Sequence, residues 1–85
     1  MNELVTRSEK QLGEALRRVR KQRGFTQAGL GEKIHMRQAT ISKLEGGSST
    51  SRLHTLMASL AALDLELVVR PRRRSTGDEI EELFS

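Results

Sequence analysis

Two neighbouring stretches decide the fold of this chain: Thr26-Gln27-Ala28-Gly29-Leu30-Gly31-Glu32-Lys33-Ile34 and, after a short break, Gln38-Ala39-Thr40-Ile41-Ser42-Lys43-Leu44-Glu45-Gly46. Each places apolar residues at helical spacing, Leu30 and Ile34 in the first and Ile41 and Leu44 in the second. Thr26 is a favoured helix N-cap residue. The sequence therefore predicts two short helices, Gln27 to Ile34 and about Arg37 to Glu45, joined by a tight break at His35-Met36.

The outer face of the second predicted helix is polar, and it consists of Arg37, Gln38, Ala39, Ser42 and Lys43. Gln can bond adenine through two hydrogen bonds, Arg or Lys can bond guanine, and Ala can contact a thymine methyl group. This face therefore suits the major groove of double-stranded DNA. A merely solvated helix face has the same composition, so the pattern leaves both interpretations open.

Two further helices are predicted on either side of this pair. Ser8 and Gln11 have capping-box spacing, so we expect reciprocal bonds between the two residues at the start of a first helix. Its apolar stripe is Leu12, Ala15, Leu16 and Val19, with Arg17, Arg18, Arg20 and Lys21 outside it. Gly24 fits the left-handed position that ends such a helix. After a loop at 46–51, Leu53, Leu56, Met57, Leu60 and Leu63 predict a fourth helix.

Residues 65–70 alternate in the strand pattern, and Pro71 ends the alternation. No second strand-like segment is found in the sequence, and an isolated strand leaves its backbone groups unpaired. Pairing with the same strand of a second copy would solve this and would bury Leu65, Leu67 and Val69 in a homodimer. The alternative is that residues 65–70 pack along the first helix in extended form.

Composition describes a small basic protein. The 85 residues carry a net charge of +4, which suggests an anionic partner, nucleic acid before a membrane surface. A charged surface that merely keeps the protein soluble is the alternative. With 35% hydrophobic residues and no Cys, the core is small and has no disulfide, which favours oligomerisation. His35 and His54 lack ligand partners at useful spacing, so no metal or cofactor is expected. We expect no enzyme activity, no membrane segment and a cytoplasmic location.

The pattern Thr-Gln-x-x-Leu-small-x-x-Ile, then Gln-Ala-Thr-Ile-Ser-Lys-Leu-Glu-Gly, resembles the XRE (Cro/phage-repressor) helix-turn-helix family over residues 8 to about 63. The resemblance implies an all-α, lambda-repressor-like fold of four to five short helices. It implies that Gln27 bonds a DNA phosphate, that Ile41 and Leu44 are core residues, and that Glu45 braces the helix end. The residues implied to face bases or adjacent phosphates are Arg37, Gln38, Ala39, Thr40, Ser42 and Lys43.

Two positions depart from the family pattern. The family usually has Ala where this chain has Gly31, and Gly in the turn where this chain has His35. Gly costs about 1 kcal/mol relative to Ala inside a helix, and His is among the better tolerated residues in a left-handed turn. The departures put local stability in question rather than the fold.

A narrower resemblance is to the HipB antitoxins. It rests on Gln11-Leu12 through Arg20, Thr26-Gln27, the run from Arg37 to Ser42, and Leu63-Asp64-Leu65-Glu66-Leu67. This resemblance implies a dimer in which one C-terminal strand pairs across the two copies. It also implies repression of the protein's own operon and binding of a HipA kinase toxin.

The chain is thus divided into an N-terminal arm (1–7), a helix-turn-helix domain (8–63), a dimerisation strand (64–71) and a basic-then-acidic tail (72–85). Arg70 and Arg72-Arg73-Arg74 either strengthen phosphate contact or form a solvated linker. Ile80, Leu83 and Phe84 form one amphipathic turn that is too short to be stable alone. We expect the tail to be disordered or, as the sharper hypothesis, to dock these residues on the toxin.

Three functional interpretations remain. The first is an antitoxin that represses its own operon. The second is a stand-alone XRE-family regulator without a toxin, and the third is an adaptor that uses the same fold to hold proteins.

Overall fold

The computed structural model describes residues 3–73. Within this part the chain forms four α-helices: α1 (Glu9–Gln22), α2 (Gln27–Lys33), α3 (Gln38–Glu45) and α4 (Leu53–Ala62). All four had been predicted from the apolar spacing. The third begins one residue later than expected, because Arg37 is its N-cap rather than part of the helix.

The helix ends mostly follow the predicted capping. The Ser8 hydroxyl accepts the backbone N–H of Gln11 at 3.1 Å, and the Thr26 hydroxyl accepts that of Gly29 at 2.9 Å. The predicted return bond from the Gln11 side chain to Ser8 is wrong: Gln11 Oε1 instead accepts the backbone N–H of Arg7, at 2.7 Å. Gly24 has a φ of 80°, as expected for a residue that ends α1.

The turn between α2 and α3 contains both departures from the family pattern and accounts for the one at Gly31. His35 adopts a left-handed φ of 59°, and the Met36 backbone N–H donates to the Gly31 carbonyl at 2.7 Å. The chain closes so tightly here that a Cβ atom at Gly31 would lie 2.6 Å from the Met36 carbonyl oxygen. The tight turn therefore leaves no room for an alanine at position 31 without a backbone shift.

The core forms around α3, which packs against all three other helices. Its buried apolar residues come from every helix and from the residue after α4: Leu16, Val19, Leu30, Ile41, Leu44, Leu60 and Leu63. One prediction for α1 is wrong, because Arg20 lies in this core and not outside the apolar stripe. On α4, Leu53 and Met57 follow the helical period but face solvent.

The segment that follows α4 contains no strand within the described residues. Asp64 turns the chain with a φ of 59°, and the Leu65 N–H still bonds Leu60 at 2.8 Å. Residues 65–70 then lie beside α1, where Leu65 is half-buried and Leu67 and Val69 are exposed. The structure of a single chain cannot show hydrogen bonds between strands of two copies, so the dimerisation strand stays a prediction. Ile80, Leu83 and Phe84 lie outside the described residues.

Candidate nucleic-acid interface

The two sides of α3 differ sharply in burial. Ile41, Leu44 and Glu45 are buried, and Ile41 is 0% exposed. Five of the predicted contact residues on the opposite side are exposed: Arg37, Gln38, Ala39, Ser42 and Lys43. The sixth, Thr40, is half-buried. The structure thus leaves five of the six predicted residues of α3 and its N-cap open to solvent, and the buried residues on the other side fix the orientation of the helix.

The end of α3 is held by a buried ion pair. Arg20 Nε and Nη2 donate to the two Glu45 carboxylate oxygens at 2.6 and 3.0 Å, a two-point contact between α1 and α3. Arg20 Nη1 also donates to the Phe25 carbonyl at 2.7 Å, which fixes the connection to α2. Charge-assisted, two-point bonds of this kind are strong and directional. Glu45 therefore braces α3, as the family resemblance implied.

Gln27 is a member of this buried cluster as well as the first residue of α2. Its Nε2 donates to Glu45 Oε1 at 3.1 Å, and the side chain is half-buried. An amide nitrogen carries two hydrogens, so the bond to Glu45 uses one and orients the other. The predicted phosphate contact of Gln27 is compatible with this geometry and stays a prediction.

Sequence reasoning missed Arg20 as a structural residue. A signal was present: Leu12, Leu16 and Arg20 follow one another at four-residue spacing, so they share a helix face. The positive charge of Arg20 suggested instead that its side chain faces solvent. A buried arginine is tolerated here because the guanidinium finds a carboxylate and a carbonyl partner.

The helix starts fall into two classes. Side chains cap α1 and α2, whereas α3 and α4 begin at Arg37 and Arg52 without a side-chain cap bond. The first backbone N–H groups of an uncapped helix remain available to an anion, and the helix dipole favours negative charge there.

A cleft lies between α3 and the start of α4, and its lining includes Lys43, Arg52 and His54. The Ser51 hydroxyl oxygen, also at this cleft, is buried without a hydrogen-bond partner within residues 3–73. Of Lys43, Arg52 and His54, only Lys43 is predicted from the sequence to contact DNA. The cleft offers positive charge directly beside the exposed face of α3, which suits a phosphate backbone.

Neither a metal-ion cluster nor a membrane-spanning helix is found in the described part of the chain. No three His, Asp or Glu side chains of residues 3–73 lie close enough together to hold a metal ion. No helix formed by these residues is long and apolar enough to cross a membrane.

Comparison with known proteins agrees with this geometry. A helix-turn-helix domain family matches residues 11–74. Antitoxin HipB of Escherichia coli strain K12 is 33% identical over 75 residues, which cover 88% of this chain and 85% of that protein. The structure of a complex of HipB with an O4 20mer superimposes with a TM-score of 0.76 at 35% identity, covering 81% of this chain and 97% of the HipB chain.

A structure of a HipA-HipB-O2-O3 complex gives a TM-score of 0.75, also at 35% identity, again over 81% of this chain and 97% of that chain. Both the sequence and the fold therefore match over most of their length. The chain belongs to the HipB antitoxin family of helix-turn-helix proteins.

Proposed function

We propose that this chain is a sequence-specific DNA-binding repressor that acts as the antitoxin of a HipA-type kinase toxin and regulates its own operon. The observation that carries the proposal is the polar, exposed side of α3, whose opposite side is fixed in the core by Ile41, Leu44 and Glu45. A rigid recognition helix of this kind loses little freedom when it enters the major groove.

In the proposed complex α3 lies in the major groove with its N-terminal residues toward the base edges. Gln38 bonds a base, Ala39 contacts a thymine methyl group, and Arg37, Thr40, Ser42 and Lys43 contact bases or adjacent phosphates. Gln27 bonds a backbone phosphate from the start of α2. Arg52 and His54, at the cleft beside Lys43, extend the phosphate contacts.

The repressor acts as a homodimer through residues 64–71, with Leu65, Leu67 and Val69 on the strand of each copy. Leu67 and Val69 are 53% and 92% exposed in the single chain, so they have apolar surface to bury. A two-fold dimer requires a palindromic operator. We expect its half-sites on one face of the duplex, about one helical turn apart or a multiple of it.

The proposed toxin partner follows from family membership, since one of the similar structures contains both HipA and HipB. The C-terminal tail (72–85) is the proposed docking segment, through Ile80, Leu83 and Phe84. A repressor of this kind acts on the bacterial chromosome, so the proposed location is the cytoplasm, in association with the nucleoid. No enzymatic role is proposed.

The proposal is tested by titrating the purified chain against DNA from its own upstream region and against random DNA of equal length, at two salt concentrations. We expect tighter binding to the upstream DNA at both concentrations and weaker binding to both DNAs at higher salt. Equal affinity for the two DNAs would contradict sequence-specific repression and favour an adaptor role.

The toxin is tested separately by co-purification with a kinase-like protein from the neighbouring gene. A stable complex is expected. DNA binding without any such complex would instead support a stand-alone regulator.

A further inference from the structure

Exposed apolar side chains are concentrated at the two ends of the described chain. Five of the seven large apolar residues that are exposed within residues 3–73 lie there, and we call them the flank patch: Leu4, Val5, Leu67, Val68 and Val69. The other two, Leu53 and Met57, lie on α4. Single exposed apolar residues are common on protein surfaces, whereas a cluster of them marks an interaction surface.

The two segments that carry the flank patch lie side by side. Arg70 Nη1 contacts Glu3 Oε1 at 3.5 Å, and Arg7 Nη2 donates to the Arg73 carbonyl oxygen. Residues 3–7 and 64–73 also line the same groove along α1, together with Leu12 and Leu16. The arm therefore lies against the segment that is proposed to pair across the dimer.

The backbone of residues 3–7 and 66–73 lacks backbone hydrogen-bond partners. Among the described residues, no backbone-to-backbone hydrogen bond involves residues 66–73 or residues 3–7. The Arg7 N–H bonds a side chain, Gln11, rather than another backbone group. Two adjacent segments with unpaired N–H and C=O groups are suited to accept strands from another chain.

The charges around the flank patch are of both signs. Glu3, Asp64 and Glu66 lie among Arg7, Arg23, Arg70, Arg72 and Arg73 at the groove. An interface between identical copies brings the same surface patch together with itself, so it needs charges that complement one another. A groove of a single sign would repel a second copy, whereas this groove offers three carboxylates that can pair with arginines of a second copy.

We propose that the N-terminal arm is a second part of the dimer interface, and that the occupant of the flank patch is a second copy of this chain. Each arm packs Leu4 and Val5 onto the paired C-terminal strands, while the contacts of Glu3 and Arg7 hold it there. The inference rests on the proposed homodimer and adds to it a role for residues 3–7.

The test measures the dimer dissociation constant by sedimentation equilibrium for a variant with both Leu4→Ser and Val5→Ser. These side chains lie outside the core, so the helical domain is expected to stay folded. The dissociation constant should rise at least about tenfold, since apolar burial is lost in both copies. Leu53→Ser, at an exposed leucine of α4 away from the patch, is the matched control and should leave it unchanged.

A second measurement avoids disrupting the interface. The chain has no cysteine, so Val5→Cys introduces a single thiol whose reaction rate with a soluble disulfide reagent reports its exposure. This rate should fall as the protein concentration rises through the dimer dissociation constant. The thiol of Leu53→Cys should react at the same rate throughout.

The outcomes separate the arm from the dimer itself. A dissociation constant unchanged by the two arm substitutions, or a Val5→Cys rate independent of concentration, would overturn the role of the arm. If Leu67→Lys weakens the dimer in the same experiment, the proposed homodimer survives that result. If the parent chain is monomeric at all concentrations, the homodimer itself is wrong.

Discussion

The four-helix region (residues 8–63) and the two segments that flank it, residues 3–7 and 64–73, differ in how far their groups are paired within a single chain. Inside the domain, even a buried arginine and a buried glutamate find each other at 2.6 Å. In the flanking segments, Leu4, Val5 and Leu67 to Val69 remain exposed. The backbone groups of residues 3–7 and 66–73 make no hydrogen bond to another backbone group within the described residues. A single chain therefore completes the proposed DNA-reading unit, and a second chain is needed to complete the flanks.

The largest expected effect comes from breaking the buried polar cluster of the domain. Glu45→Ala leaves Arg20 as a buried charge without its carboxylate, so the free energy of unfolding should fall by about 3–5 kcal/mol. In a domain of this size 1 kcal/mol changes the melting temperature by about 4–8 °C. Thermal unfolding followed by circular dichroism measures this loss.

Glu14→Ala is the control for Glu45→Ala, because Glu14 is an exposed glutamate on α1. Its effect should stay within about 0.5 kcal/mol. If the two substitutions lower the free energy of unfolding by the same amount, the ion pair between Arg20 and Glu45 does not stabilise the domain.

A smaller effect, on association rather than folding, is expected in the flanks. Leu67→Lys places a charge where the proposed strands pair, so sedimentation should show a lower dimer content. Leu53→Lys alters a leucine of α4 that is also exposed and should leave the dimer intact. An unchanged mass for Leu67→Lys would mean that residues 64–71 do not form the dimer contact.

The smallest expected effect lies again inside the domain. Ser59 is 1% exposed, and its hydroxyl has no hydrogen-bond partner among the described residues. Removing it with Ser59→Ala should raise the free energy of unfolding by up to about 1 kcal/mol, because a buried unpaired polar group is costly. Urea denaturation measures the change, with Ser49→Ala at an exposed loop position as the neutral control. Destabilisation by Ser59→Ala would reveal a bond that the hydroxyl does make.

How far the sequence predicts the structure differs between the same two regions. The apolar spacing, Thr26 and Gly24 depend on local geometry, and the structure confirms the helices and ends that they predicted. Arg20 was misplaced because its burial depends on Glu45, twenty-five positions further along the chain. The bond of Gln11 to Arg7 depends on the path of the arm, which no local rule fixes.

The proposed strand pairing of the flanking segments and the proposed DNA contacts depend on molecules other than this chain, so the sequence predicts them only in part. The alternation at 65–70 indicates a strand, but its hydrogen-bond partners belong to a second copy in the proposed dimer. The spacing predicted that Gln38, Ala39 and Ser42 share an exposed surface, and they do. Which base each would contact in the proposed complex is set by an operator that the chain does not encode.

The central claim is that the exposed side of α3 reads DNA sequence, and Gln38→Ala tests it most directly. Affinities for the upstream operator and for random DNA are measured side by side, with Gln27→Ala as the comparison. Gln38→Ala should cost about 1–3 kcal/mol on the operator, relax the preference at one base pair and hardly change random binding, whereas Gln27→Ala should weaken both alike. Equal losses on the two DNAs from Gln38→Ala would contradict the account.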